Sequence, residues 1–251
     1  MGSSVSAFVT GAGSGIGRAS ALALARRGFS VAAADLSPSA AQETAELVRE
    51  LGVGAIACPL DVTESPAVEA AVAEAVRRLG PLKVAVNSAG LQGELAAAGE
   101  CSESNWLTIL SVNLTGTFIS MRAEINALLA GSGGSIVNIA SNFGLVGQRG
   151  MPAYCASKHG VIGLSKSAAL DYGNRGVRIN VVCPGPIGTP LLDSFVGAGG
   201  SQLLNDIKAS VPMNRIGTAD EVGEAVGWLA DSESSYVTGA ILSVDGGYVV
   251  P

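Results

Sequence analysis

The 251-residue sequence predicts a single α/β domain built on a doubly wound parallel sheet of about seven strands, with helices on both faces. Three observations lead there. Short β-rich runs alternate with longer helical stretches. The strand candidates are unbroken apolar runs, the pattern of strands covered on both faces. Hydrophobic residues make up 48% of the chain and charged residues only 14%, against a usual charged share of about 25%. A large core is therefore available, and general disorder is excluded, because disordered chains are polar and highly charged.

The elements follow in order. Residues 5–10 read as a strand, followed by a glycine-rich turn and an Ala/Leu-rich helix over 15–27. Residues 29–34 supply a second strand, after which Ser37 caps a helix with Pro38 at its first position. Further strands are expected at 54–58, 84–87, 135–140, 177–182 and 240–244, separated by helices at 66–79, 103–129, 153–172 and 219–229. Strand–helix alternation implies right-handed crossovers. Residues 191–215 break the rhythm with a long connection between the sixth strand and the last helix. An insertion beyond a strand's C-terminal end is placed to act as a lid. No repeat or linker divides residues 1–251, so one domain is expected.

Fifteen Lys and Arg against twenty-one Asp and Glu give a net charge of −6. An acidic chain without a basic run is a poor partner for nucleic acid or an anionic membrane. No apolar run approaches the ~18 residues of a membrane span. Met1-Gly2 with Ser6 fits a myristoylation pattern, but strand-like sequence starts by Val5 and the segment reads as a short polar leader. Cys58, Cys101, Cys155 and Cys183 form no CxxC pair, and His159 is the one histidine. A disulfide framework and a Cys/His metal site are both disfavoured, and reduced thiols in a cytoplasmic protein are expected. The low charge points to apolar surface buried between subunits.

Thr10-Gly11-Ala12-Gly13-Ser14-Gly15-Ile16-Gly17 follows the first strand and opens the first helix. Glycines there allow a tight turn and a close approach of a pyrophosphate to helix N-terminal N–H groups. The spacing departs from G-x-G-x-x-G, since the glycines fall at 11, 13, 15 and 17. Asp35 ends the second strand 18 residues after Gly17, where a carboxylate accepts ribose hydroxyls. It also repels a 2′-phosphate, and neither Ser14 nor Leu36 is a cation, so NAD is favoured over NADP.

Tyr154 and Lys158 stand at i and i+4, on one helical face. An ammonium beside a phenol favours the phenolate and brings its pKa down from about 10 towards the working range. Ser141 lies just past the fifth strand, placed to donate to a carbonyl oxygen. Two donors aimed at an oxygen that becomes alkoxide-like stabilise the transition state of hydride transfer.

With these motifs in order, the chain resembles the short-chain dehydrogenase/reductase family over essentially its whole length, a Rossmann-like fold. The resemblance rests on Thr10 to Gly17, Asp61-Val62, Asn87-Ser88-Ala89-Gly90, Asn113, Ser141, Tyr154 with Lys158, and Pro184-Gly185 through Thr189. It implies a catalytic set in which Tyr154 is the general acid–base and Ser141 positions the carbonyl. Lys158 would hold the nicotinamide ribose and lower the tyrosine pKa, and Asn113 would hold a water that relays protons. It further implies that Gly11, Ser14, Gly15, Ile16, Gly17, Asp35 and Leu36 hold the adenosine and pyrophosphate half. Asp61 would accept from the adenine, with Val62 beside it. Asn87, Ala89 and Gly90 would line the cleft. Pro184, Gly185, Ile187 and Thr189 would flank the nicotinamide. Ser88 stands where the family pattern has a second asparagine, a change expected to alter local hydrogen bonding.

The expected activity is NAD-dependent hydride transfer between nicotinamide and a secondary alcohol or ketone. The substrate wall is expected to include Gln92, Phe143, Leu145, Gln148, Leu191 and Phe195 beside Ser141 and Tyr154, which suits a mainly apolar molecule with one or two polar handles. The alternatives are an NADPH-dependent 3-oxoacyl thioester reductase and a non-catalytic NAD-binding sensor or scaffold. A homotetramer, or a homodimer, is expected from the resemblance and the low charge. Read without the resemblance, Asn113 is a buried asparagine satisfied by a backbone carbonyl, His159 a packing or interface residue, and Cys155 and Cys183 small buried apolar groups. Trp106, Leu110, Leu114, Phe118 and Met121 recur at helical spacing, as core or interface residues do. The apolar tail 246–251 is read as a subunit contact.

Overall fold

A computed structural model describes residues 5–197 and 200–250. The proposed leader and Pro251 lie outside them, as do residues 198–199 of the long connection. The elements run β1 (Ser6–Thr10), α1 (Gly15–Arg26), β2 (Ser30–Asp35), α2 (Pro38–Glu50), β3 (Ala55–Pro59), α3 (Ser65–Leu79), β4 (Leu82–Asn87), α4 (Glu103–Leu110), α5 (Thr117–Ala130), β5 (Gly134–Ile139), α6 (Pro152–Tyr172) and β6 (Val177–Pro184). They continue through β7 (Ile187–Gly188), α7 (Pro190–Val196), α8 (Gly200–Ala209), β8 (Gly217–Thr218), α9 (Ala219–Ala230) and β9 (Ile241–Val244).

Seven strands form one parallel sheet in the order β3-β2-β1-β4-β5-β6-β9. Adjacent residues of a strand face opposite layers. Phe8 and Ala32 pack with Val68, Leu128 and Ala168 of α3, α5 and α6. Ala7, Val9 and Val31 pack with Leu24, Val48, Val222 and Leu229 of α1, α2 and α9. The order in which successive strands join the sheet reverses between β1 and β4, so a crevice opens at their C-terminal ends, the place where such sheets bind ligands.

Strand ends fall within two residues of those the sequence suggests, as expected when hydrogen bonding rather than composition sets the boundary. The helix expected over 103–129 is continuous in direction but contains a π turn at Ser111–Gly116. Gly116 lies so close to Val62 that a Cβ would stand 2.7 Å from its side chain. The long connection is not featureless. It carries α7 and α8, neither with a buried residue, and it leaves and rejoins the body at one place, where β7 and β8 pair in parallel. Among the described residues no helix is long and apolar enough to cross a membrane, and no cluster of three or more potential metal-ligating side chains occurs. All four cysteines are free.

Candidate active site

The crevice is a cavity of about 450 Å³, within the usual range for small-ligand sites. One end of it is made by the turn after β1. Gly11 and Gly15 have φ of 63° and 49°, which only glycine adopts without strain. A Cβ on Gly17 would stand 2.0 Å from the Gly11 carbonyl oxygen, and one on Gly13 would stand 2.7 Å from the Asp35 carboxylate. No side chain caps the start of α1, so its first N–H groups are free to receive an anion.

Asp35 is fixed by its own backbone contacts: Oδ2 accepts Gly13 N–H at 2.8 Å and Oδ1 accepts Ser37 N–H at 2.9 Å. Leu36, Asp61 and Val62 complete this end, with Asp61 Oδ1 also capping Thr63 at 2.9 Å. Ser14, Ile16 and Gly17 line the next stretch of the cavity, followed by Ala89, Gly90, Pro184, Gly185, Ile187 and Thr189. The uncapped glycine turn, Asp35 and a cavity of this volume fit a nicotinamide dinucleotide. Arg18 adds no free cation there. Its guanidinium is taken up by Glu43 at 2.7 Å, Thr44 and the Gly13 carbonyl. Ser88, the departure from the family pattern, leaves its N–H on Thr10 Oγ1 at 3.2 Å.

Ser141, Tyr154 and Lys158 meet at the far end of the same cavity, all buried. β5 delivers Ser141 at the start of a short 3-10 turn, and one helical turn of α6 separates Tyr154 from Lys158. The Tyr154 hydroxyl and the Ser141 hydroxyl face the same end of the cavity, near enough for Ser141 to favour the phenolate. Ser141 Oγ donates to Asn142 Oδ1 at 2.9 Å. Lys158 Nζ donates to the Ile139 carbonyl at 2.9 Å and lies 5.7 Å from the centre of the Tyr154 ring. Sequence reasoning expected the ammonium to lower the phenol's pKa. In the structure burial dominates: it pushes Tyr154 up to about 12, the Ser141 hydroxyl opposing, and pushes Lys158 down to about 8. A low-dielectric floor disfavours phenolate and ammonium alike.

Two expected residues turn elsewhere. Asn87 does not line the cavity: its amide donates to Glu124 Oε2 at 2.8 Å and to Asn138 Oδ1 at 2.9 Å, in a buried network behind β4. Asn113 is fully buried, with Oδ1 accepting Leu91 N–H at 2.7 Å and Nδ2 donating to the Leu91 carbonyl at 2.8 Å. Its side chain serves the loop after β4, close to the satisfied-asparagine reading. It still borders the site, because a Cβ on Gly90 would stand 3.3 Å from Asn113 Oδ1 and 3.5 Å from Lys158 Nζ.

On the substrate side Gln92, Phe143, Gln148, Leu191 and Phe195 line the cavity. Leu145 packs instead against Val161 and Cys183. Cys183 is buried below Ser141 and Lys158, and burial pushes its thiol up to about 11. His159 is exposed, its Nδ1 2.9 Å from the Cys155 carbonyl. Sequence reasoning missed Met151, Ile207, Ser210 and Tyr248, which also line the pocket. Tyr248 was the hardest to foresee, since it sits in the tail read as a subunit contact.

A family model described as enoyl-(acyl carrier protein) reductase matches residues 11–249. The chain is 43% identical to cyclohexanol dehydrogenase of Acinetobacter sp. (strain SE19), covering 96% of this chain and 94% of that one. It is 37% identical to the short chain dehydrogenase/reductase astE of Aspergillus oryzae, covering 96% and 93%. The crystal structure of NAD+-bound xylitol dehydrogenase superposes with a TM-score of 0.91 at 34% identity, over 98% of each chain.

Proposed function

The chain belongs to the short-chain dehydrogenase/reductase family, and from that premise we propose that it is an NAD-dependent dehydrogenase of small, uncharged secondary alcohols and of the corresponding ketones. One observation carries the reading: the Ser141–Tyr154 hydroxyl pair and the buried Lys158 share a cavity with the uncapped glycine-loop helix. Bound along that cleft, the nicotinamide coenzyme supplies a hydride acceptor or donor. In oxidation Tyr154, having first lost its own proton to solvent, takes the proton from the alcohol oxygen as a phenolate; in reduction, as a phenol, it gives its proton to the ketone oxygen. Ser141 turns its hydroxyl from Asn142 to the same oxygen and holds it. Lys158 would hold the ribose and supplies a positive charge near the developing oxyanion. Asn113 acts by position, fixing the Leu91 backbone beside Lys158.

Asp35 supports NAD over NADP, since the charged side chains lining the cavity are Asp35, Asp61 and Lys158. The same census disfavours an anionic substrate and the thioester reductase alternative with its NADPH. Exposed Trp106, Leu107, Phe118 and Leu170 on α4, α5 and α6 support assembly into a homotetramer. We place the protein in the cytoplasm, and assign residues 191–215 as the lid, since Leu191, Phe195 and Ile207 reach the cavity from it.

A panel of secondary alcohols followed by NADH absorbance tests the activity, with Tyr154→Phe beside it. The variant is expected to lose about 10²–10⁴ in turnover while still binding NADH. A sensor would show no turnover in either form. Full turnover by the variant would overturn the role of Tyr154.

A further inference from the structure

The chain past β9 does not leave the molecule but returns to the cavity. Asp245 is 9% exposed, and it organises the turn that follows: Oδ1 accepts Gly247 N–H at 2.9 Å and Oδ2 accepts Val249 N–H at 3.0 Å. Gly246 and Gly247 take φ of 63° and 88°, conformations that β-carbon-bearing residues resist. The turn is also tied to the end of the lid, because Met213 N–H donates to the Gly246 carbonyl at 3.2 Å. A Cβ on Gly246 would stand 2.7 Å from Val211, and one on Gly247 would stand 3.2 Å from Pro212. So many constraints on the turn from Asp245 to Val249 fix one side chain, Tyr248, in the pocket wall.

The Tyr248 ring meets Phe143 edge-on, with centroids 6.1 Å apart and planes at 77°. That contact holds the ring and leaves the hydroxyl uncommitted: among the described residues no hydrogen bond to it occurs. The side-chain amides of Gln148 and Gln92, which line the same cavity, are likewise unpaired. A phenol and two amides offer donors and acceptors without charge, in a wall that also carries Phe143, Met151, Leu191, Phe195 and Ile207. Polar groups left unpaired beside an apolar ligand cost binding energy, so such a wall discriminates against a purely hydrocarbon substrate.

We propose that Tyr248, held by the Asp245 turn and supported by Gln148, is a specificity-determining residue that receives a second, uncharged oxygen of the substrate, so that diols and hydroxyketones are preferred over the parent alcohol. This rests on the alcohol dehydrogenase reading above. The test compares kcat/KM for cyclohexanol with that for the 1,2-, 1,3- and 1,4-cyclohexanediol isomers, in the wild type and in Tyr248→Phe, with thermal melting as the check on folding. Phenylalanine keeps the contact with Phe143 and removes only the hydroxyl. The wild type is expected to favour at least one diol, and the variant to lose about tenfold of that preference, mainly through KM. A ratio that moves less than threefold, or an equal loss on all the alcohols, overturns the assignment of Tyr248 while leaving the dehydrogenase reading intact. No oxidation of any of these alcohols by the wild type would instead overturn the dehydrogenase reading, and this inference with it.

Discussion

Replacing Asp35 by asparagine removes one negative charge from the adenosine end and keeps one acceptor oxygen. The carboxylate lines the cavity with its oxygens held 2.8 Å from Gly13 N and 2.9 Å from Ser37 N, so it cannot swing away from an incoming 2′-phosphate. Two unit charges about 4 Å apart interact with about 4 kcal/mol at an effective dielectric constant near 20. A phosphate monoester carries about −1.5 to −2, but the site opens to solvent and salt screens part of the field. A net discrimination of about 2–3 kcal/mol remains, or roughly a hundredfold. Since Arg18 is engaged by Glu43, no cation among the described residues lining this end offsets it. The assay is kcat/KM for NADH and for NADPH with one ketone at fixed ionic strength. The wild type is expected to favour NADH by about two orders of magnitude, and Asp35→Asn to bring the ratio to within about tenfold of unity. The lost backbone acceptor should lower stability by about 1 kcal/mol, visible in melting. A wild type that prefers NADPH, or a ratio that the variant shifts by less than threefold, would refute the electrostatic reasoning.

Two further outcomes follow from the buried charges. Lys158→Met should reduce alcohol oxidation at pH 8 by about a hundredfold or more, and a pH–rate profile should show the deficit narrowing as hydroxide removes the Tyr154 proton in place of the missing cation's help; a variant with wild-type rates would dismiss Lys158 from the chemistry. Glu124 is fully buried, and burial pushes its carboxyl up to about 8 from an ordinary 4.5, the Asn87 hydrogen bond opposing. Its raised folded-state pKa means that its contribution to stability is whole below pH ~4.5 and is lost as pH rises through ~8, a change of a few kcal/mol. Denaturant melts across pH 5–9 should therefore be flatter for Glu124→Gln than for the wild type, and parallel curves would count against a neutral Glu124.

The glycine turn, Asp35, Ser141 and the Tyr154/Lys158 pair were legible because each requirement is local. A positive φ needs glycine, a strand end places its next residue at the sheet's edge, and i,i+4 spacing puts two side chains on one face. Asn87 was misread because a motif gives position without direction. In β4 it follows Val86, which packs towards α1 and α9, so Asn87 shares with Ala85 the face towards α3, α5 and α6 and meets Glu124 there. Alternation in the strand carried that signal. The π turn at Asn113 and the return of Tyr248 carried none that composition can express, since both depend on contacts between distant segments: Gly116 against Val62, and Gly246 against Val211.

Burial that raises Tyr154 and lowers Lys158 looks at first like an obstacle to acid–base chemistry, yet under the proposed function it serves the reaction. Cys183, below the same pair, is held as a neutral thiol by burial, so no second anion competes for the lysine. Lys158 Nζ has the Ile139 carbonyl as its neighbour rather than a carboxylate, which leaves its charge uncompensated in a low-dielectric floor. An alcohol oxygen that gains negative charge as it gives up its proton then meets the full field of that cation together with the Ser141 and Tyr154 hydroxyls, whereas the neutral alcohol meets little of it. Preferential stabilisation of the charged, transient state over the bound ground state is what raises turnover. A carboxylate partner for Lys158 would have made the site more stable and cancelled that difference.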